Sequence, residues 1–180
     1  INIFLILISI FNFGCKNKIT TSIKGEIKNA HFKKIYLSDA YNWETPLDSS
    51  NIEANKFEFK LTYKLDPIKL FSLQYVDNNG TIKSIEIKNN FLYDKSKRAV
   101  LNSFIIDTAV IIFNADLSKT PYFDIDAGME NRAFYNTQLM NFGYLESDSN
   151  KASLQFNTYL SIIKKYPNSV YLLSQIDANK

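Results

Sequence analysis

The chain has 180 residues, 21 basic and 18 acidic, with 46% apolar residues that include 14 Phe and 11 Tyr, and a single Cys, His and Trp. So even a charge balance excludes the clustered basic footprint of a nucleic-acid binder, and so much apolar and aromatic surface excludes a chain disordered throughout. With Cys15 and His31 alone of their kinds, disulfides, Cys/His zinc sites, C-x-x-C redox pairs and Ser/His/Asp relays lack the residues they need, and no cofactor is implied.

At the N-terminus an apolar run, Ile3 to Ile8 with Ile10, Phe11 and Phe13, stops at Gly14-Cys15 and gives way to Lys16-Asn17-Lys18. At ~1.5 Å of helical rise per residue this run is too short for a ~30 Å hydrocarbon core. It matches the h-region of a secretory signal, about 7–15 residues long and ended by a small residue before the cut. The order Gly14-Cys15 resembles a bacterial lipobox. Residues 1–15 therefore read as a lipoprotein signal, with Cys15 as the lipid-bearing first residue of the mature protein. Such an anchor would hold the protein on a membrane of the bacterial cell envelope, facing the periplasm. Export signals normally open with Lys or Arg, so a few further residues are expected ahead of Ile1, while the C-terminus, which directly follows an apolar helical pattern, reads either as a cut or as a natural stop.

A β-sandwich domain is expected over residues 19–116, because from about Ser22 to Asn114 the dominant period is two. The cleanest case is Phe57-Glu58-Phe59-Lys60-Leu61-Thr62-Tyr63, with Phe57, Phe59, Leu61 and Tyr63 on one face and polar residues on the other. Shorter runs stand at Ile23 to Ile27, Lys34 to Leu37, Ile68 to Tyr75, Ile82 to Ile87 and Ala109 to Phe113. Lys28-Asn29-Ala30-His31 reads as a turn that puts His31 at the surface. Asp77-Asn78-Asn79-Gly80 signals a hairpin, since Asn-Gly readily takes positive φ. Leu70-Phe71 breaks the alternation, which predicts either a bulge or a strand covered on both faces. Strands about ten residues apart predict an antiparallel sandwich or partial barrel, and the fold class is α+β.

After Pro121 the period becomes helical, and 126–180 reads as a helical connector. Tyr135, Leu139, Phe142 and Leu145 form one stripe. Phe156, Leu160 and Ile163 form a second, widened by Tyr159, Ile162 and Tyr166. Asp148-Ser149-Asn150 would cap the second helix and Pro167 end it. Asn168-Ser169 can open a third through Leu172, Leu173 and Ile176.

Three places could carry chemistry. Asp124, Asp126 and Glu130 could hold a hard cation, but Gly128 stands where an EF-hand order needs a ligand, and acids at a helix start are favoured by its free N–H groups. Asp48-Ser49 lacks a histidine to relay a proton and reads as an Asx-type turn before a strand. Asp39 to Pro46 is a loop holding the only tryptophan among polar neighbours, which makes Tyr41 and Trp43 candidate contacts for a ligand or partner, or covers for an end of the sandwich.

Three segments resemble a known family. Ile23-Lys24-Gly25-Glu26-Ile27 is similar to its opening strand. Leu47 to Phe59 resembles its hallmark of Asp-Ser, a few residues, Ile and then Gly-Lys-Phe-x-Phe, with Asn55 in the glycine position. Ile163 to Ser169 resembles its connector motif Phe-Ile-x-x-x-Pro-x-Ser. The family is the N-terminal domain of unknown function of bacterial envelope lipoproteins that commonly precedes a thioredoxin-like, thiol-disulfide interchange domain. The resemblance implies a non-catalytic spacer, docking or binding module whose partners are the membrane and a following thioredoxin-like domain or an envelope protein. The alternative is the N-terminal part of a membrane-tethered oxidoreductase, whose C-x-x-C or peroxidatic cysteine these 180 residues do not contain.

Overall fold

The computed structural model describes residues 18–64, 68–88, 100–141 and 151–178. The signal segment and Cys15 lie outside them. Among the described residues eleven strands precede three helices, in a mixed α+β fold with a mostly antiparallel β-sandwich.

One sheet has the order β11-β10-β1-β4, from β11 (Asp124–Asp126), β10 (Val110–Asp116), β1 (Lys18–Lys28) and β4 (Lys56–Lys64). The second begins with β3 (Asp48–Asn51), β2 (Lys34–Asp39) and β5 (Leu70–Val76). The far edge of β5 is shared: β6 (Ile82–Ser84) pairs with Gln74 to Val76, and β9 (Phe104–Ile105) pairs with Leu70 and Phe71. β7 (Ile87–Lys88) and β8 (Val100–Leu101) form a separate small ladder. The run Ile82 to Ile87, which reads as one strand in the sequence, thus splits, with Ile85 N–H donating to Leu73 O at 2.8 Å between its halves.

The core follows the alternation. Ile23 and Ile27 of β1, Phe57 and Phe59 of β4, and Ile111 and Phe113 of β10 are buried, and so are Ile35, Leu37, Phe71 and Leu73 of the opposite sheet. Glu58, Lys60 and Thr62 are exposed, and the Tyr63 side chain lies outside the described residues. The rings of Phe104 and Phe113 meet edge to face at 5.1 Å, joining β9 of one sheet to β10 of the other. At Gly25 an added Cβ would sit 2.7 Å from the Phe113 carbonyl oxygen and against the Phe57 ring, so the core ring lies where any other residue would place its side chain. β1 and β10 run parallel, from Ser22 opposite Val110 to Lys28 opposite Asp116.

The turns are chemically explicit. Glu53 and Lys56 exchange N–H···O bonds of 2.9 Å around Ala54 (φ 49°) and Asn55 (φ 67°), the two left-handed residues that a type I′ hairpin requires. Asn55 therefore takes the conformation its glycine-like position demands. In the β5–β6 hairpin only Gly80 is left-handed (φ 79°), and Asp77 Oδ1 accepts the N–H groups of Asn79 and Thr81 at 2.9 Å each.

Three helices follow: α1 (Met129–Asn141), α2 (Lys151–Lys165) and α3 (Val170–Ala178). None among the described residues is long and apolar enough to cross a membrane. Ile162 of α2 and Tyr166 just after its end are buried, with Tyr159 and Ile163 packed beside them, whereas Phe156 is exposed. The stripe that faces the core is thus the Tyr159–Ile162–Tyr166 side, since a helix packed on one side buries an arc of roughly 100° and the rest stays in water. Phe142, Leu145 and Asp148 to Asn150 lie outside the described residues, as do the side chains of Leu139 and Ile176.

Side chains distant in sequence hold the helices to the sandwich. Asp107 accepts the N–H groups of Gly128 (3.0 Å) and Asn131 (2.9 Å) at the start of α1. Burial pushes its carboxyl above the ordinary aspartate range, opposed by those same N–H donors. Asn131 acts as an artificial strand neighbour, accepting from Ile105 N–H at 2.8 Å and donating its amide back to Ile105 O. Buried Glu130 reaches α3, taking bonds from Ser169 Oγ (2.6 Å), Val170 N–H (3.1 Å) and Tyr171 N–H (3.0 Å). Ser169 Oγ in turn accepts Leu172 N–H at 3.2 Å, so a serine and a glutamate cap the same helix.

Candidate functional site

Where β2 hands over to β3 the chain makes an excursion whose ends are pinned: Ala40 N–H donates to Leu70 O (2.9 Å) and Leu47 N–H to Leu37 O (2.7 Å). Asp39 folds the start of the loop, its Oδ1 accepting Tyr41 N–H at 2.9 Å in an Asx turn. The pinned loop leaves Tyr41 83% and Trp43 47% exposed.

Trp43 stands at one wall of a cleft of about 250 Å³ completed by Ala40, Ser72, Ile82, Ser84 and Asn102. Its floor belongs to the outer face of the second sheet. Register places Ser38 opposite Ser72, and Gln74 opposite Ser84, so these side chains share the face away from Phe71 and Leu73. Polar residues on an outer face are normally wet. Here Ser38, Ser72 and Gln74 are 0%, 4% and 1% exposed. Ser38 Oγ donates to Gln74 Oε1 at 2.9 Å. Ser72 Oγ and Gln74 Nε2 have no hydrogen-bond partner among the described residues, a deficit that costs about 1–3 kcal/mol per buried group. The strand break at Leu70-Phe71 thus marks a strand covered on both faces, with polar groups under one of them.

A second cleft, about 500 Å³, lies on the other side of the same loop, and Tyr41, Leu101, Asn102, Phe134 and Gln138 are among its walls. Asn102 belongs to both clefts. A third concavity, about 780 Å³, is a trough over the outer face of the first sheet, where Lys24 stands opposite Glu58 and Glu26 opposite Lys56. Opposite charges in register offset one another there, and Glu58 is further engaged by Ser22 Oγ at 2.7 Å.

The remaining sequence candidates have structural employment. His31 is exposed in its turn, edge-on to Phe32 and Tyr75. Asp48 accepts Ser49 N–H at 2.7 Å as β3 begins. Asp124 and Asp126 are exposed in β11, whereas Glu130 points to α3, so the three acids do not converge, and the described residues contain no group of three or more His, Cys, Asp or Glu placed to hold a metal ion. Glu130 does lie in the first turn of α1, where an acid suits the helix start, but its hydrogen bonds go to α3, and α1 is capped instead by Asp107 from before β10.

Shifted ionisations also fall outside the Trp43 cleft. Burial raises Tyr135, with the Asp107 charge adding to it, and burial raises Tyr171 against the bond its hydroxyl shares with Thr137. Asp116 is held well below the usual carboxylate range by Ser118 and Asn29 hydrogen bonds, which tie the end of β10 to the β1–β2 turn. Sequence reasoning selected Tyr41 and Trp43 but missed Ser72, Gln74 and Asn102. The only signal for them was the lost alternation at Leu70-Phe71. No family model matches the chain, and no curated protein or solved structure matches it.

Proposed function

We propose that the chain is a lipid-anchored cell-envelope protein whose β-sandwich is a non-catalytic binding module, tethered at Cys15 and presenting the Asp39 to Pro46 loop to a ligand or partner. The observation that carries this reading is the pairing, at one cleft, of a half-exposed Trp43 with Ser72, whose buried Oγ has no hydrogen-bond partner among the described residues. A buried polar group left without a partner calls for an explanation, and a bound ligand is one. The Gly14-Cys15 order after an apolar run supports the tether. Each buried CH₂ of an acyl chain contributes ~0.8 kcal/mol, and two chains make the anchoring stable. Cells expressing the whole gene and fed radiolabelled palmitate are expected to label the wild-type protein and retain it in the membrane fraction through a salt wash, while Cys15→Ser takes up no label. An unlabelled wild type would overturn the anchor.

A second reading is favoured by the apolar side chains that α2 and α3 leave exposed, Phe156, Val170 and Leu173. In it the helices serve as a connector, and this surface meets a thioredoxin-like domain that follows. The gene sequence after Lys180 is then expected to encode a strand and a C-x-x-C at a helix start, where thiolate is favoured. A stop codon directly after Lys180 would contradict it.

A further inference from the structure

We infer that the cleft between Trp43 and Ser72 is a subsite for one neutral pyranose unit of a saccharide; this rests on the binding-module reading and names the ligand class. The wall residues carry no ionisable side chain, so a charged ligand would lose its hydration with no counter-charge in the wall to replace it. What the walls do offer is divided. Trp43, Ile82 and Ala40 supply apolar surface, and the negative face of an indole suits the C–H bonds of a sugar ring. Ser72, Ser84 and Asn102 supply hydroxyls and an amide that can both give and accept hydrogen bonds, as a ring of hydroxyl groups requires.

The buried pair decides between a ligand site and a surface dimple. Ser72 Oγ and Gln74 Nε2 are donors kept under cover with no partner among the described residues, and Ser72 is itself a wall of the cleft. Gln74 keeps its Oε1 on Ser38 Oγ, which leaves Nε2 as the amide atom without a partner among the described residues. Ser72 Oγ has almost no accessible surface as it stands, so a ligand hydroxyl supplies the missing partner as the Ser72 side chain turns toward the cleft it lines. About 250 Å³ is below the roughly 300–1,000 Å³ of a drug-sized site, which fits a single ring. The neighbouring cleft, entered past shared Asn102 and lined by Tyr41, gives room for the next units of a chain.

Trp43 is the only tryptophan, so its fluorescence reports on this cleft alone. The whole chain, kept soluble in a sugar-free detergent, is titrated with methyl glucoside, methyl galactoside and N-acetylglucosamine, with maltotriose and chitotriose, and with adenosine and trialanine. The expected result is a saturable change with at least one saccharide, with Kd on the order of 1 mM for the single ring and tighter for its trisaccharide. Ser72→Ala is expected to weaken that binding about tenfold while leaving the melting temperature unchanged or raised, because a hydroxyl without a partner is removed. If Ser72 is merely structural, the variant melts earlier and binds as before, which overturns the inference. So does a response confined to trialanine or adenosine, which would keep the binding module and reject the saccharide. No saturable response to any probe would overturn both the saccharide and the module. A failure of palmitate labelling strikes only the anchor and leaves these outcomes untouched.

Discussion

Phe59→Ala is expected to destabilise the sandwich by about 3–5 kcal/mol, a large share of the total for a domain of this size. Phe59 is 1% exposed, stands opposite Ile23 across the β1–β4 ladder, and has the Phe57 ring beside it at 5.8 Å. Truncation removes the ring's burial and leaves a void that rigid neighbouring strands cannot fill. Lys60, one residue on, points to the other face and is exposed. Lys60→Ala is expected to stay within about 0.5 kcal/mol. Chemical unfolding monitored by circular dichroism measures both. Equal midpoints for the two variants would mean that β4 does not bury the face assigned to it.

The second large effect is expected at Glu130. Its carboxylate takes three bonds from the start of α3, so Glu130→Ala leaves the Val170 and Tyr171 N–H groups without their acceptor in a covered place. A lost cap and two unpaired donors together cost about 2–4 kcal/mol, a melting shift of roughly 5–15 °C for a chain of this length. The loss should be local. Hydrogen exchange is expected to accelerate through α3 and spare β1 and β4, which are held by their own ladder. Asp126→Ala, three residues before the helix and exposed, serves as the control and is expected to change little. Unchanged exchange in α3 after Glu130→Ala would show that apolar packing alone keeps that helix in place.

The contrast between Phe59 and Glu130 shows what a sequence exposes and what it conceals. Phe59 belongs to a pattern spread over neighbouring residues, so period two reveals strand, face and core together. Asn55 at positive φ, Ser169 at the start of α3 and the hairpin at Asp77 to Gly80 are equally local and equally legible. β3, with the sequence Asp-Ser-Ser-Asn, and β11, Asp-Ile-Asp, have no apolar alternation to detect. They are strands only because neighbouring strands offer unpaired edges. The parallel pairing of β1 with β10 joins segments more than eighty positions apart, and no local pattern encodes it. The same holds for the caps. An acid before a helix advertises that it will satisfy N–H groups, but which helix it serves depends on how the helices pack, and Glu130 serves α3.

The candidate site divides along the same line. Tyr41 and Trp43 were legible because aromatics in a polar loop stand out against their neighbours. Ser72 and Gln74 were not, because serine and glutamine at alternate positions of a strand ordinarily mark a wet face. In the fold both are nevertheless buried, with Ser72 Oγ and Gln74 Nε2 left without a partner among the described residues.

The single tryptophan stands half-exposed at the wall of a cleft rather than within the core. Quenching of Trp43 fluorescence by acrylamide in the folded protein tests it most directly. Strong quenching is expected in the native state, only modestly increased by urea, since Trp43 is already 47% exposed. A tryptophan shielded until the protein unfolds would contradict it, and would place Trp43 as a cover of the sandwich rather than as a wall of a binding site.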